Sequence, residues 1–143
     1  MPRPIVSKGS TTWKGDLFSG SGRSSLETSG VASFDVNWKS RAEEAGGTTS
    51  PEELIAAAHA TCFAMQFSNE LAKNDTPPTE LRSSAEATFV AGEGITGIHL
   101  TVEGEVEGIS AEDFQRIAES AKGNCPVSQA LKGTQITLTA SLA

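Results

Sequence analysis

The residues most able to do chemistry in this sequence are its two cysteines, Cys62 and Cys125, which lie 63 residues apart. A thiolate is a strong nucleophile, and two thiols that meet in a fold can form and release a disulfide. Two inert buried thiols are the alternative, because free cysteine also behaves as a small hydrophobic residue. The residues that flank each cysteine are therefore needed to choose between these interpretations.

Cys62 lies in an apolar, alanine-rich stretch that predicts a buried helix. Burial disfavours the charged form of a thiol, so the pKa of Cys62 should lie above its ordinary value. No Lys or Arg within one helical turn supplies a positive charge that would reverse this effect. His59, three residues earlier, can lie beside Cys62, and we interpret it as a packed or hydrogen-bonded residue.

Cys125 has a different context, because Pro126 follows it directly. Proline suits the first position of a helix, so Cys125 is predicted to be the N-cap of a short helix that Gly133 ends. The positive end of a helix lowers the pKa of a thiol and leaves the sulfur near the exposed helix end. A cysteine with a purely structural role at the cap is the alternative.

The element that must position Cys62 is a long helix predicted over Pro51–Lys73. Ser50 can cap this helix, a proline suits its first position, and the two acids that follow complement its dipole. Its length of about 23 residues corresponds to roughly 34 Å. Because most of its circumference is apolar, we expect it to be either a central helix wrapped by sheet or part of a dimer interface.

The remaining segments predict an α+β fold. Strands with turns are expected over 11–38, followed by a loop over 39–49. After the long helix, alternating apolar residues predict a hairpin over 81–106. A further helix should begin at Ser110, and the last strand should cover 136–140.

Composition narrows the class of protein. No repeat or linker divides the sequence, so residues 1–143 are expected to form a single domain. The formal net charge of −7, without a basic cluster, argues against nucleic acid as a partner. No apolar run approaches the ~18 residues of a membrane span, so no membrane association is expected. Without a secretory signal in the first residues, we expect a cytoplasmic protein, where a structural disulfide is disfavoured.

Two longer motifs surround the cysteines. The first is TSPEELIAAAHATCFAM over Thr49–Met65, and the second is CPVSQAL over Cys125–Leu131. Together with their separation and the WKGD segment over 13–16, they resemble the OsmC/Ohr family of organic hydroperoxide peroxidases, and the OsmC branch in particular. The resemblance covers nearly the whole chain. It implies antiparallel sheets around a long central helix and an intertwined homodimer.

The resemblance also implies a mechanism. Cys62 would attack the O–O bond of an organic hydroperoxide and become a sulfenic acid, releasing the alcohol. Cys125 would then condense with it to a disulfide, and a dithiol reductant, lipoyl-bearing in characterised members, would restore both thiols. No cofactor is implied.

The family places an arginine and a glutamate beside the reactive sulfur, and these match Arg41 and Glu52. A guanidinium favours the thiolate of Cys62, and a bidentate carboxylate would orient that guanidinium. Arg23 corresponds roughly to the arginine of the Ohr branch and stays an alternative. A solvated surface charge is the other interpretation of either arginine.

Helix geometry adds an expectation of its own. Glu52 and Cys62 are ten residues apart, which is about 15 Å along a helix axis and roughly 80° around it. One side chain cannot span that gap, but an antiparallel helix of a second subunit could bring its Glu52 to this Cys62. We therefore predict a homodimer with composite sites.

The resemblance also implies an apolar pocket that prefers bulky organic peroxides, and three side chains near Cys62 are candidates for lining it: Phe63, Met65 and Phe67. Core packing is the alternative role for at least one of them. A different class of function is a non-enzymatic protein that binds a small apolar ligand at the dimer interface.

A metal site is a further alternative. His59, Cys62, Cys125 and His99 are its only candidate ligands, and the first two have helical spacing. His99 falls in an alternating strand, and no CxxC or HxxxH pair is present, so no metal is predicted.

Overall fold

The computed structural model describes residues 2–143 of the protein and divides it into two compact units. The first unit reaches Pro51, and the second runs from Glu52 to Ala143. The first unit contains a three-stranded antiparallel sheet in the order β1-β2-β3. Its strands are β1 (Gly9–Lys14), β2 (Ser21–Leu26) and β3 (Ser33–Val36).

The predicted loop over 39–49 is wrong in its first part, because a short helix, α1 (Trp38–Ala42), occupies it. Asn37 precedes the helix in an extended conformation, and its side chain accepts a hydrogen bond from the Ser40 backbone N–H at 2.8 Å. Such a cap stabilises a helix start. Arg41 therefore lies on a helix rather than in a loop.

The long helix, α2 (Pro51–Lys73), begins and ends at the predicted residues. Glu52 and Glu53 lie in its first turn and Lys73 in its last, so the charges at both ends complement the helix dipole. Asn74 and Thr76 follow it, and both backbone N–H groups donate to carbonyl groups of its last turn.

The second unit contains the sheet β4-β5-β6. The predicted hairpin is confirmed as β4 (Glu80–Val90) paired antiparallel with β5 (Gly94–Glu105). The last strand, β6 (Ile136–Leu142), pairs parallel with β5, so the expectation of purely antiparallel sheets is wrong. Two helices cross between β5 and β6, and a crossover of this kind returns the chain in the same direction.

These two helices are α3 (Ala111–Asn124) and α4 (Pro126–Ala130). Ser110 caps α3 as predicted, since its side chain accepts from the Asp113 backbone N–H at 3.0 Å. The core of the second unit forms where α2 and α3 cover one face of the sheet. It is aromatic at its centre, where the Phe67 and Phe114 rings meet edge to face with centroids 5.1 Å apart.

The mixed α+β class is confirmed by this arrangement of two small sheets and four helices among the described residues. None of these helices combines the length and hydrophobicity needed to cross a bilayer.

Candidate active site

Cys62 lies on α2 with its side chain partly buried against the core of the second unit. Burial raises the pKa of its thiol, and a hydrogen bond with the Cys125 side chain raises it further. A hydrogen bond from the Val127 backbone N–H acts in the opposite direction, because it stabilises the thiolate. The net shift of the pKa is upward, as predicted for a cysteine in mid-helix.

Cys125 lies between α3 and α4, at the predicted N-cap position of α4. Its backbone N–H donates to the Ala121 carbonyl at 2.9 Å, so the residue also ends α3. The side chain makes no capping hydrogen bond and is 0% exposed. The expectation that this sulfur lies near an exposed helix end is therefore wrong, because Cys125 is part of the hydrophobic core of the second unit.

The fold brings the two sulfurs together. The Cys62 side chain lies close enough to that of Cys125 for the neighbouring thiol to raise the pKa of Cys62, and both cysteines are free thiols. Two neighbouring free thiols are the arrangement that thiol–disulfide exchange requires. Only Cys62 has exposed surface, so a reagent from solvent meets this sulfur first.

A polar pair lies one helical turn from the sulfurs. His59 is 0% exposed, and its Nε2 lies 2.7 Å from Oγ of Ser128, which is also buried. This confirms the interpretation of His59 as a packed, hydrogen-bonded residue. Burial lowers the pKa of His59, so the ring is neutral at pH 7.

The predicted charged residues lie in different units. Arg41 is half-buried on α1 in the first unit, and Glu52 is buried in the first turn of α2. Arg23 pairs with Asp35 across β2 and β3 at 2.8 Å, and both side chains are largely exposed. Arg23 is thus part of a surface ion pair within the first sheet.

The three candidate lining residues separate into two groups. Phe63 and Phe67 are fully buried in the core, so packing is their role in the described chain. Met65 is 69% exposed and lines an open groove of about 680 Å³ between α2 and the start of β4.

The fourth candidate metal ligand, His99, lies on β5 and contacts β6. Nδ1 and Nε2 of His99 lie 2.6 and 3.0 Å from the hydroxyls of Thr137 and Thr139 on β6. Among residues 2–143, no group of three or more His, Cys, Asp or Glu side chains could hold a metal ion.

Comparison with known proteins places this arrangement in a family. A family model described as OsmC-like protein matches residues 44–140. The chain belongs to this OsmC-like family. The match includes Glu52 and both cysteines, whereas Arg41 lies just outside it.

Two relatives and one solved structure show what this chain is similar to. The chain is 41% identical over 137 residues to the peroxiredoxin OsmC of Escherichia coli strain K12, with 94% of each chain covered. It is 33% identical over 97 residues to the organic hydroperoxide resistance protein OhrA of Bacillus subtilis strain 168, covering 65% of this chain and 67% of that protein. The crystal structure of an organic hydroperoxide resistance protein from Elizabethkingia anophelis shares the OsmC-like fold, with a TM-score of 0.70 at 23% identity and 100% of both chains covered.

Sequence analysis missed the parts of the site that only tertiary packing creates. Ser128 and the Val127 N–H belong to the second cysteine motif, but nothing in that motif shows that they face α2. The one available signal was His59, a polar residue at helical spacing from Cys62 in an apolar stretch.

Proposed function

We propose that this OsmC-like protein is a thiol peroxidase that reduces organic hydroperoxides to alcohols. The observation that supports the proposal is the pair of neighbouring free thiols, one partly exposed and one fully buried. The names of the relatives, a peroxiredoxin and an organic hydroperoxide resistance protein, support the same reaction.

The difference in exposure supports separate roles for the two sulfurs. The Cys62 thiolate attacks one oxygen of the hydroperoxide, the O–O bond breaks, and the alkoxide takes a proton to become the alcohol. The Cys125 thiolate attacks the resulting Cys62 sulfenic acid, an S–S bond forms, and hydroxide leaves and is protonated to water. An external dithiol, which we propose to be a lipoyl group, then reduces the disulfide by two thiol exchanges.

The raised pKa of Cys62 means that the chain needs a positive charge beside this sulfur. We assign that charge to Arg41 and its orientation to Glu52, as the OsmC branch of the family implies. The surface ion pair of Arg23 with Asp35 supports Arg41 over Arg23.

The protein is proposed to be a homodimer in which α2 meets its copy. One face of α2 packs on the core through His59, Phe63 and Phe67. The other face carries Ala58, Thr61 and Met65, all exposed in the single chain. Small and apolar side chains on an exposed helix face suit close contact with a second helix. An antiparallel arrangement would bring Glu52 of one subunit to Cys62 of the other.

Both units are proposed to form one domain, since the family match crosses the boundary between them. We place the protein in the cytoplasm, because the reaction needs both cysteines as free thiols between turnovers.

Turnover of tert-butyl or cumene hydroperoxide with dihydrolipoamide tests the proposal. Wild type should consume organic hydroperoxide faster than hydrogen peroxide, and Cys62→Ser should show only the background rate. Full turnover by Cys62→Ser would overturn the mechanism. A wild type that binds the hydroperoxide without reducing it would favour the alternative of an apolar-ligand binding protein.

A further inference from the structure

The buried pair of His59 and Ser128 joins α2, which carries Cys62, to α4, whose N-cap residue is Cys125. His59 lies one turn before Cys62 on α2, and Ser128 lies three residues after Cys125 on α4. Their hydrogen bond of 2.7 Å connects residues 69 positions apart in the sequence. The cysteine chemistry proposed above does not itself use either side chain.

Helix α4 needs such a contact, because it has only five residues. A helix this short is not stable alone, so its position depends on the elements it touches. Apolar packing of the Val127 side chain holds α4 against the core. Packing is weakly directional, whereas a hydrogen bond also fixes the rotation of α4 about its own axis.

The rotation of α4 determines what Cys62 meets. The Val127 N–H, which hydrogen-bonds the Cys62 sulfur, lies between Cys125 and Ser128 on the same short segment. A turn of α4 about its axis would therefore withdraw the Val127 N–H and the Cys125 sulfur from Cys62 together.

The tautomer of His59 follows from its surroundings. Nδ1 is buried and has no hydrogen-bond partner among the described residues. An orphaned N–H is rarer and costlier in protein interiors than an orphaned lone pair. We therefore assign the proton to Nε2, which donates to the Ser128 hydroxyl.

We propose that His59 and Ser128 are positioning residues that hold Cys125 and the Val127 N–H against Cys62. The inference rests on the proposed function, because it concerns the second chemical step. In that step the Cys125 thiolate attacks the Cys62 sulfur along the line of the S–O bond, and hydroxide leaves as the disulfide forms. Without the His59–Ser128 bond, α4 samples other rotations, and Cys125 attacks the sulfenic acid more slowly.

Rapid-quench mass spectrometry after a pulse of cumene hydroperoxide, with dimedone to trap sulfenic acid, separates the two steps. We expect Ser128→Ala and His59→Leu to close the disulfide about tenfold more slowly and to accumulate the dimedone adduct. Ser128→Thr and His59→Gln keep a hydroxyl and a donor, respectively, and should recover part of the rate.

A matched control breaks a similar bond elsewhere on α2. Ser120 of α3 donates to Glu70 Oε1 at 2.6 Å, near the opposite end of the helix. Ser120→Ala should therefore close the disulfide at the wild-type rate. This comparison distinguishes a loss of positioning from a general loosening of the helices.

Two outcomes would overturn the inference. In the first, wild type reduces hydroperoxide, and the folded Ser128→Ala and His59→Leu variants close the disulfide within about twofold of the wild-type rate. This result would rule out the positioning role and leave the proposed function intact. A wild type that consumes no hydroperoxide and forms no disulfide would remove the proposed function and this inference with it. Should Ser128→Ala not fold, His59→Leu, which places an apolar side chain in an apolar core, makes the same comparison.

Discussion

The Cys62 side chain on α2 lies beside Cys125, the residue between α3 and α4, although the two cysteines belong to different sequence motifs. Burial and this contact both make the thiol of Cys62 harder to ionise, because they favour its protonated form. The same contact places the second sulfur where a disulfide can close. In the proposed reaction, the pair therefore favours resolution of the sulfenic acid at the expense of thiolate formation.

The first prediction concerns the positive charge that would offset the raised pKa of Cys62. Burial and the Cys125 contact raise the pKa of Cys62, so without Arg41 its thiolate should form only at higher pH. Arg41→Gln should slow sulfenic acid formation at pH 7 by about tenfold or more and recover as the pH rises through the raised pKa. Stopped-flow rates with cumene hydroperoxide between about pH 6 and 9.5 measure this.

Arg23→Gln is the matched control for that series, since Arg23 pairs with Asp35 on the surface of the first sheet. It should keep the wild-type pH profile. The assignment would pass to Arg23 if Arg23→Gln lost the rate at pH 7 and Arg41→Gln did not.

The second prediction tests the composite site. Glu52→Gln and Cys62→Ser homodimers should each be nearly inactive. If Glu52 acts on the Cys62 of the other subunit, a mixed dimer contains one complete site, so mixing and re-equilibrating the two variants should restore turnover. Hydroperoxide consumption by the mixture, with each variant alone as its control, gives the answer. Mixed dimers that stay inactive would show that Glu52 acts within its own chain or not at all.

A third prediction follows from the buried His59. Burial lowers the pKa of His59, so the folded state binds a proton less readily than the unfolded chain, whose histidine has its ordinary pKa of about 6.5. The contribution of His59 to the free energy of unfolding is therefore fully present above that pH. It is lost as the pH falls, by up to about 1.4 kcal/mol per pH unit. Urea unfolding at pH 7 and at about pH 5.3 should show this loss in wild type and a smaller one in His59→Gln. Equal losses in the two proteins would contradict the account.

The fourth prediction concerns the packing that supports α3. A Cβ atom at Gly104 on β5 would lie 2.8 Å from Phe114 Cε1 and 3.0 Å from Leu81 Cδ2. Because Phe114 is fully buried and cannot move aside, Gly104→Ala should destabilise the protein by about 1–3 kcal/mol. Urea unfolding measures the change. Gly123→Ala is the control: it lies in α3 with no atom within 4 Å of its added Cβ, so it should stabilise by up to about 1 kcal/mol.

Sequence patterns predicted the elements whose signals are local. The bounds of α2 followed from a proline start, acids in the first turn and an uninterrupted apolar run, and Ser110 gave the start of α3. Helix α1 was missed because its five residues carry little periodicity and only Asn37 signals its start. The parallel pairing of β6 with β5 was missed because strand direction depends on the crossover between them.

The candidate site divides in the same way. Both cysteines and the cap position of Cys125 could be found from motifs and from Pro126. The burial of Cys125 and the bond between His59 and Ser128 could not, because they arise where α2, α4 and the sheet pack together.

The intact mass after one equivalent of cumene hydroperoxide shows whether Cys62 is oxidised and then joined to Cys125 by a disulfide. Wild type should lose the mass of two hydrogen atoms as Cys62 and Cys125 form a disulfide, and a dithiol should restore it. Cys125→Ser should instead gain one oxygen atom, on Cys62. An unchanged wild-type mass after incubation with hydroperoxide would contradict the proposed mechanism. So would a Cys62→Ser variant that gains oxygen on Cys125 at the wild-type rate.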